Sequence, residues 1–246
     1  DSVVFGTNAL SPAKVQRDVR GDLGSAALVR FDAGALRKPS SLIPESDRIR
    51  FFSGRGQGLP GVYQAILSRG DDTFYRITEE LRTLFPTVRH LRVPALSSDT
   101  LGIEVELVDG RRVRAEGLSD GILYYLGFTA LQHITPMGCL LVEEPENGLH
   151  PSRIRVVIST LRRIAELHKT QILIATHSPL VVNEMKPEEV SVVTRPSLEV
   201  GTCVTPIRST PNFDRRSSVY SLGELWLSYA DGTTEAPLMS TQTDAP

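Results

Sequence analysis

Two adjacent carboxylates, Glu143 and Glu144, end a short apolar run at residues 139–142, and a Pro/Asn/Gly turn follows them. An apolar run without alternation is typical of a strand buried in a parallel sheet. Open α/β sheets bind ligands beyond the carboxyl ends of their strands. There, one carboxylate could orient Mg²⁺ through water and its neighbour could orient an attacking water for phosphoryl transfer. The alternative interpretation is a polar strand end followed by a solvated loop.

Two further stretches carry polar groups at positions where ligands bind. His177 comes at the carboxyl end of a second predicted buried strand within residues 171–179, and residues 118–121, Leu-Ser-Asp-Gly, open a long apolar helix. Ser119 and Asp120 are good helix caps, and free N–H groups at a helix N-terminus attract phosphate. The alternatives that the residues leave open are a structural histidine and a capped core helix without a ligand.

Together these motifs resemble the ATP-binding-cassette ATPases, and within them the SMC/RecF/Rad50-like heads and the OLD-like AAA-type proteins. Residues 118–121 are similar to the family's signature loop, and residues 139–144 to its Walker B motif. Residues 146–151 are similar to the D-loop, and residues 176–178 to the switch-histidine loop. The spelling Glu-Glu-Pro-Glu-Asn-Gly-Leu-His-Pro is similar to the non-transporter branch of the family.

The resemblance implies ATP and Mg²⁺ as cofactors and a role for each matching residue. Glu144 matches the catalytic glutamate that orients water, and His177 matches the switch histidine. Glu143 stands at the metal-associated position, where the family often has Asp, so a water-mediated contact with the metal is expected. The implied nucleotide-contacting residues are those of the signature loop and the D-loop: Leu118, Ser119, Asp120, Gly121, Asn147, Gly148, Leu149 and His150.

The resemblance also implies an α/β fold, the P-loop NTPase-like ABC ATPase head, with a mostly parallel core sheet, flanking helices and an antiparallel ribbon. A strand, a helix and a strand within residues 139–175 predict a right-handed βαβ unit. The alternating pattern of residues 101–108, with Glu104 and Glu106 on one face, precedes a hairpin signal at Asp109-Gly110.

The rest of the pattern predicts further elements and a division of the chain. We expect residues 1–58 to be a remnant of an N-terminal or insert region, residues 59–230 to be the C-terminal lobe of the ATPase, and residues 231–246 to be a flexible tail. Further predicted elements are helices from Leu59, from cap-type residues 71–73 through Leu84, from a Ser152 cap and over residues 219–229, and strands at residues 27–31, 88–93, 190–194 and 201–207, the last of which continues the sheet.

Composition describes an ordinary globular chain. Its 246 residues are 40% hydrophobic and 23% charged, with a net charge of −2, so bulk charge does not indicate nucleic-acid binding. Cys139 and Cys203 form no disulfide framework. The sequence contains neither an apolar run long enough for a membrane span nor a signal peptide at its start, which favours a cytoplasmic location without a membrane partner.

The sequence also lacks the family's phosphate-binding loop. No Gly-x-x-x-x-Gly-Lys-Ser/Thr is present, and the Gly-rich stretch at residues 54–61 has no lysine to reach a phosphate. The chain begins at Asp1 rather than at Met. We therefore expect it to be the C-terminal part of a larger protein, or a chain whose first lobe was removed, and we expect it to be inactive alone.

The functional hypothesis is that ATP binding and hydrolysis drive head dimerisation in a DNA-associated complex for repair, chromosome maintenance or anti-phage defence. The implied partners are a second copy of the head, DNA and an effector protein such as a nuclease. One alternative is a non-hydrolysing scaffold that supplies only the signature face to a partner. Another, a transporter cassette, is disfavoured by the D-loop spelling.

Overall fold

The computed structural model describes residues 26–199, 201–210 and 212–229. The predicted tail at residues 231–246 lies outside them, as do residues 1–25 of the predicted remnant. The chain divides into two compact units, one made of Asp1–Leu149 and Ser159–Ala175, the other of His150–Ile158 and Thr176–Pro246. The predicted lobe boundary at Leu59 remains a prediction.

The first unit holds most of the regular structure. Its elements in chain order, with the helix that continues from the other unit, are β1 (Ala27–Val29), α1 (Ala33–Leu36), α2 (Leu59–Ser68), α3 (Thr73–Leu84), β2 (Val88–Arg92), β3 (Glu104–Leu107), β4 (Arg112–Arg114), α4 (Asp120–Ala130), β5 (Cys139–Glu143), α5 (Pro151–His168) and β6 (Gln171–Ala175). Helix α5 therefore begins at Pro151, and Ser152 is a residue of its first turn rather than its cap.

A three-stranded parallel sheet in the order β1–β5–β6 lies at the centre of the first unit. In its register, Val29 pairs with Val142, and Glu143 pairs with Ala175. The unbroken apolar run of β5 predicts burial on both faces, but only one face is core: Leu140 and Val142 are each 1% exposed, whereas Cys139 and Leu141 are partly buried. The expectation that β6 is a buried strand is wrong, since its residues alternate between exposed and partly buried and Leu173 is 61% exposed. Because all three strands run the same way, their carboxyl ends meet at one edge, where Glu143 and Glu144 stand.

The predicted ribbon is an antiparallel sheet in the order β2–β3–β4. Gly110 turns the chain between β3 and β4 with φ +84°, which confirms the hairpin signal. The two glutamates of β3 share a face, as predicted, but Glu104 is only 8% exposed. Arg92 and Arg112 lie within ion-pair distance of both carboxylates, so this face carries a ladder of opposite charges.

Helices α2 and α4 pack together and exclude water from the core. Helix α4 is apolar on all sides, and Leu123, Leu126 and Ala130 are fully buried in it. The buried Tyr63 hydroxyl of α2 donates to the carbonyl of Leu126 at 3.0 Å. This hydrogen bond satisfies the polar end of a side chain that is otherwise packed among apolar groups.

The second unit contains the first turns of α5, then α6 (Pro179–Val182), β7 (Ser191–Ser197), β8 (Gly201–Pro206), α7 (Phe213–Ser217) and α8 (Leu222–Tyr229). Strands β7 and β8 pair only with each other among the described residues, as an antiparallel ribbon. The expectation that residues 201–207 continue the central sheet is therefore wrong. Val192, Ile207, Phe213 and Leu225 instead form a separate small core, against which Trp226 packs.

The architecture is the predicted α/β fold, with a parallel core sheet, flanking helices and antiparallel ribbons. None of the helices in the described ranges is both long enough and apolar enough to cross a bilayer.

Candidate functional site

The acidic end of β5 brings two carboxylates to one place. Side chains on a regular strand alternate between the two faces of a sheet, so Glu143 and Glu144 would be expected to diverge. Both instead lie beside one guanidinium, that of Arg30, which follows β1. Nη1 of Arg30 is 3.5 Å from Oε2 of Glu143, and Nη2 is 3.3 Å from Oε2 of Glu144.

The backbone of Glu144 explains this convergence. Its N–H continues the ladder by donating to the carbonyl of Ala175 at 2.8 Å. Its φ is then +47°, a left-handed conformation that is uncommon for a residue with a side chain. The strand therefore ends at Glu144 in a sharp turn, which breaks the alternation and places the second carboxylate beside the first.

Asn147, in the predicted D-loop, fixes the orientation of the Glu144 carboxylate. Its amide nitrogen Nδ2 donates to Oε2 of Glu144 at 2.7 Å, and its backbone N–H donates to the Glu144 carbonyl at 3.0 Å. The Glu144 side chain is 32% exposed, so water can still reach its carboxylate. A carboxylate that is held in place but accessible to water is suited to accepting a proton from water.

The remaining D-loop residues of the first unit make a close contact with helix α4. Gly148 has φ +70°, and a Cβ built on it would lie 2.3 Å from Cε2 of Tyr124. The backbone of the D-loop can therefore lie against the Tyr124 ring only because residue 148 has no side chain. Leu149 is partly buried next to this turn.

The predicted signature loop leaves its polar groups open to solvent. Ser119 is the N-cap residue of α4, but its hydroxyl makes no capping hydrogen bond. Ser119 and Asp120 are exposed, and Gly121 is partly exposed. Leu118 is different, because its side chain is only 5% exposed and belongs to the core. The Leu118 side chain is therefore withdrawn from the exposed part of the loop.

Arg37, which follows α1, holds this loop in place. Its Nη2 donates to the Leu118 carbonyl at 3.0 Å and to Oδ1 of Asp120 at 2.5 Å. The guanidinium neutralises the acidic side chain nearest to the start of α4. An anion approaching the Ser119 hydroxyl would thus meet a loop in which the Asp120 charge is already balanced.

The segment that joins these two arginines is packed rigidly. The Phe31 ring lies edge-on to Phe128 of α4, with 5.0 Å between the ring centroids. Asp32 caps α1 by accepting the Ala35 N–H at 2.8 Å. That hydrogen bond, together with the Arg55 guanidinium at 3.2 Å, holds the pKa of Asp32 below its ordinary value.

The two predicted histidines, His150 and His177, belong to the second unit. His177 is exposed and stands two residues beyond Ala175, the last residue of β6. His150 serves helix α5, since its Nδ1 accepts the Ser152 N–H at 3.3 Å and lies 2.8 Å from the Ser152 hydroxyl. The His150 ring therefore provides the cap that the sequence pattern assigned to Ser152.

The donor atoms at the end of β5 suit Mg²⁺ in part. Magnesium is commonly held by one or two carboxylates, with water and substrate phosphates completing six oxygen ligands. Glu143, whose side chain is 40% exposed, offers such an oxygen, and Glu144 lies beside it. In the described part of the chain, no three His, Cys, Asp or Glu side chains converge on a metal position. These two carboxylates are therefore of the ligand type that Mg²⁺ prefers, but they would supply only part of its six-oxygen shell.

Sequence reasoning missed the two arginines that touch the predicted site. Arg30 and Arg37 lie in the stretch that carried no recognisable motif, and each reaches its partner across a long separation in sequence. A basic residue directly after an apolar strand was the available signal for Arg30. No comparable signal existed for Arg37, because its contact depends on how α1 packs against α4.

Comparison with protein families identifies one that covers more than half of the chain. The family described as "AAA domain, putative AbiEii toxin, Type IV TA system" matches residues 37–183. No curated protein sequence matches the chain significantly.

Several solved structures of SMC heads are similar to the chain. One, described under "Structural biochemistry of ATP-driven dimerization and DNA stimulated activation of SMC ATPases", is 12% identical with a TM-score of 0.46, over 70% of this chain and 99% of that one. The Smc head with coiled coil and joint from Pyrococcus yayanosii is 15% identical with a TM-score of 0.43, over 58% of this chain and 28% of that one. The SMC head from Thermotoga maritima is 16% identical with a TM-score of 0.39, over 62% of this chain and 55% of that one. The chain thus spans less than two thirds of the latter two structures.

Proposed function

The chain belongs to this family of AAA domains, and from that premise we propose that it forms the hydrolytic and signature-bearing lobe of an ATPase head. Family membership is consistent with ATP binding. The observation that carries the finer proposal is the convergence of Glu143, Glu144 and Asn147 at the carboxyl end of β5. A left-handed turn held by a ladder hydrogen bond is a costly arrangement, and such strain is concentrated at functional sites.

In this proposal, each group at the end of β5 has a separate task. Glu144 accepts a proton from the attacking water, and the Asn147 amide keeps its carboxylate aimed. Glu143 contributes an oxygen, directly or through water, to the Mg²⁺ that accompanies ATP. Mg²⁺ supplies charge neutralisation for phosphoryl transfer when it is bound. His177, which follows the neighbouring strand, donates a hydrogen bond toward the transferred phosphate or the water.

The signature loop serves a nucleotide held by another head. Ser119 supplies a hydroxyl that is not used as a cap, and the first N–H groups of α4 supply further donors. The D-loop, including Asn147, Gly148, Leu149 and His150, communicates across the dimer. Positioning and electrostatic stabilisation provide most of the rate enhancement in such a site.

The phosphate-binding loop must come from elsewhere, either upstream in the same polypeptide or on a partner. The assembled head is a homodimer with ATP sandwiched between subunits, and its opening and closing move an attached effector. Among repair, chromosome maintenance and anti-phage defence, the family description, with its toxin–antitoxin system, favours a defence role. DNA is the proposed partner of the assembled head.

The test is Glu144→Gln in an assembly that includes a phosphate-binding loop. This change keeps the size of the side chain but removes its basicity, so phosphate release should fall by roughly 10²-fold or more. The ATP-bound dimer should persist longer in light scattering, because hydrolysis no longer opens it. Glu116→Gln, the same change at an exposed glutamate before the signature loop, is the matched control and should leave turnover unchanged.

The exposed signature loop also favours a second candidate, the non-hydrolysing scaffold. It predicts ATP-dependent association with a partner that carries a phosphate-binding loop. It also predicts that ATP hydrolysis by the assembly is unchanged in the Glu144→Gln variant. Undiminished turnover in that variant would therefore remove the catalytic assignment of Glu144. Equal loss of turnover in the Glu116 control would show that the effect is not specific to Glu144.

A further inference from the structure

Arg30 occupies a position that the proposed function leaves without a role. Its guanidinium bridges Glu143, the proposed metal-associated residue, and Glu144, the proposed acceptor of the water proton. Arg30 lies outside all of the recognised motifs. The three charges sum to −1, so half of the negative charge of the pair is already neutralised in the absence of a nucleotide. A divalent cation brought to Glu143 would be repelled by this guanidinium at close range.

The backbone of Arg30 is fixed while its side chain is free to move. Its N–H donates to the Gly54 carbonyl at 2.9 Å, and the Asp32 N–H donates to the Arg55 carbonyl at 3.1 Å. Gly54 lies so close to β1 that a Cβ on it would be 2.1 Å from the Leu28 carbonyl oxygen. The Arg30 side chain, by contrast, is 62% exposed, so a change of rotamer can remove it from the carboxylates.

We propose that Arg30 is the resident counter-ion of the Glu143–Glu144 pair in the nucleotide-free protein, and that the divalent metal must displace it. This inference rests on the proposed function, because it takes Glu143 as the metal-associated residue. Arg30 is in this account a positioning residue. It keeps two adjacent carboxylates together without a metal, and it sets the metal concentration at which the site loads.

The expected size of the effect follows from Coulomb's law. A unit charge about 5 Å from a divalent ion in a water-like dielectric changes its affinity roughly tenfold, and screening at moderate salt lowers this to roughly fivefold. Removing the arginine should therefore tighten metal binding several-fold. The gain should shrink as salt rises, since screening weakens the repulsion that Arg30 exerts.

The experiment uses Mn²⁺ as the probe and the chain itself as the protein. Loss of the electron paramagnetic resonance signal of free Mn²⁺ reports binding in the absence of nucleotide, and circular dichroism checks the fold of each variant. Arg30→Ala should lower the Mn²⁺ dissociation constant by roughly fivefold at about 0.05 M KCl and by less than twofold at about 0.5 M KCl. Arg111→Ala is the matched control, because Arg111 is similarly exposed but pairs with Asp109 in the ribbon turn.

Glu143→Gln separates this inference from the proposed function. It should weaken Mn²⁺ binding in both the parent and the Arg30→Ala background. Weakening by Glu143→Gln without tightening by Arg30→Ala would overturn the role of Arg30 and leave the metal role of Glu143 standing. Mn²⁺ binding that is unchanged by both substitutions, or no measurable binding in any variant, would overturn both the role of Arg30 and the metal role of Glu143.

Discussion

Replacing Gly148 by alanine tests whether the D-loop contact is as tight as its geometry indicates. Two costs add at this position. A Cβ in the left-handed conformation costs about 1–2 kcal/mol, and Gly148 has φ +70°. The new Cβ would also lie 2.3 Å and 2.6 Å from two carbons of the Tyr124 ring, well inside ordinary contact. Overpacking of this kind costs about 1–3 kcal/mol, toward the lower end here because the ring is partly exposed and can shift.

The expected loss of unfolding free energy for Gly148→Ala is therefore about 2–4 kcal/mol. Urea unfolding followed by circular dichroism measures it. Gly110→Ala is the control for backbone strain alone, because Gly110 has φ +84° and nothing lies within 4 Å of its Cβ position. That control should lose only about 1–2 kcal/mol.

A double-mutant cycle isolates the contact with the aromatic ring. In a Tyr124→Ala background, the Gly148→Ala change should cost no more than Gly110→Ala does, because the overlapping ring is gone. The coupling between the two substitutions should be about 1–2 kcal/mol. If Gly148→Ala costs the same with and without the Tyr124 ring, the D-loop does not lie against helix α4 as described.

Three further perturbations test other parts of the first unit. Arg37→Met should speed hydrogen exchange of the amides at residues 119–121 and lower the free energy of unfolding by about 1 kcal/mol, since the Asp120 charge loses its partner. Unchanged exchange would contradict the role of Arg37 in holding the signature loop. Gly54→Ala should cost about 2–4 kcal/mol in urea unfolding, because its Cβ would meet the backbone of β1; a cost below 1 kcal/mol would show that the loop can withdraw. Burial lowers the pKa of His133 from 6.5 to about 4, so the unfolded chain binds this proton first as pH falls. The stability present above pH 6.5 should thus decline by about 1–2 kcal/mol toward pH 4, and His133→Gln should flatten that decline in urea titrations at each pH.

The elements with strong local signals could be predicted from the sequence. The apolar run before Glu143 predicts strand β5, the apolar residues spaced along α3 predict a helix with one buried face, and the Asp109-Gly110 turn encodes its hairpin. The resemblance to AAA-type ATPases rested on motifs of this local kind, and the family match confirms it.

What the sequence could not predict depends on partners distant in the chain. Strands β7 and β8 have the composition of sheet strands, yet they pair only with each other among the described residues, because periodicity does not specify a neighbour. The Ser152 cap was wrong because the helix begins one residue earlier, at Pro151, and the His150 ring accepts the N–H of Ser152. The first error involves no predicted site residue, whereas the second involves His150 of the predicted D-loop.

The convergence of the two carboxylates was the least predictable feature. Strand periodicity places Glu143 and Glu144 on opposite faces, and the left-handed φ of Glu144 brings them to the same side, where Arg30 pairs with both. Propensity disfavours that conformation for glutamate, so local rules argue against what the tertiary structure imposes.

The turn at Glu144 also has a consequence for the order of folding. Its backbone is held by a hydrogen bond to Ala175, and the carboxylates are gathered by an arginine 114 residues earlier than Glu144. Contacts between residues so far apart in the sequence form late, after strand pairing has offset the entropy lost when the intervening loop closes. The acidic pair is therefore assembled only when β1, β5 and β6 are all in register, and fraying of either outer strand would disperse it. A partly folded chain would carry both glutamates without carrying the site.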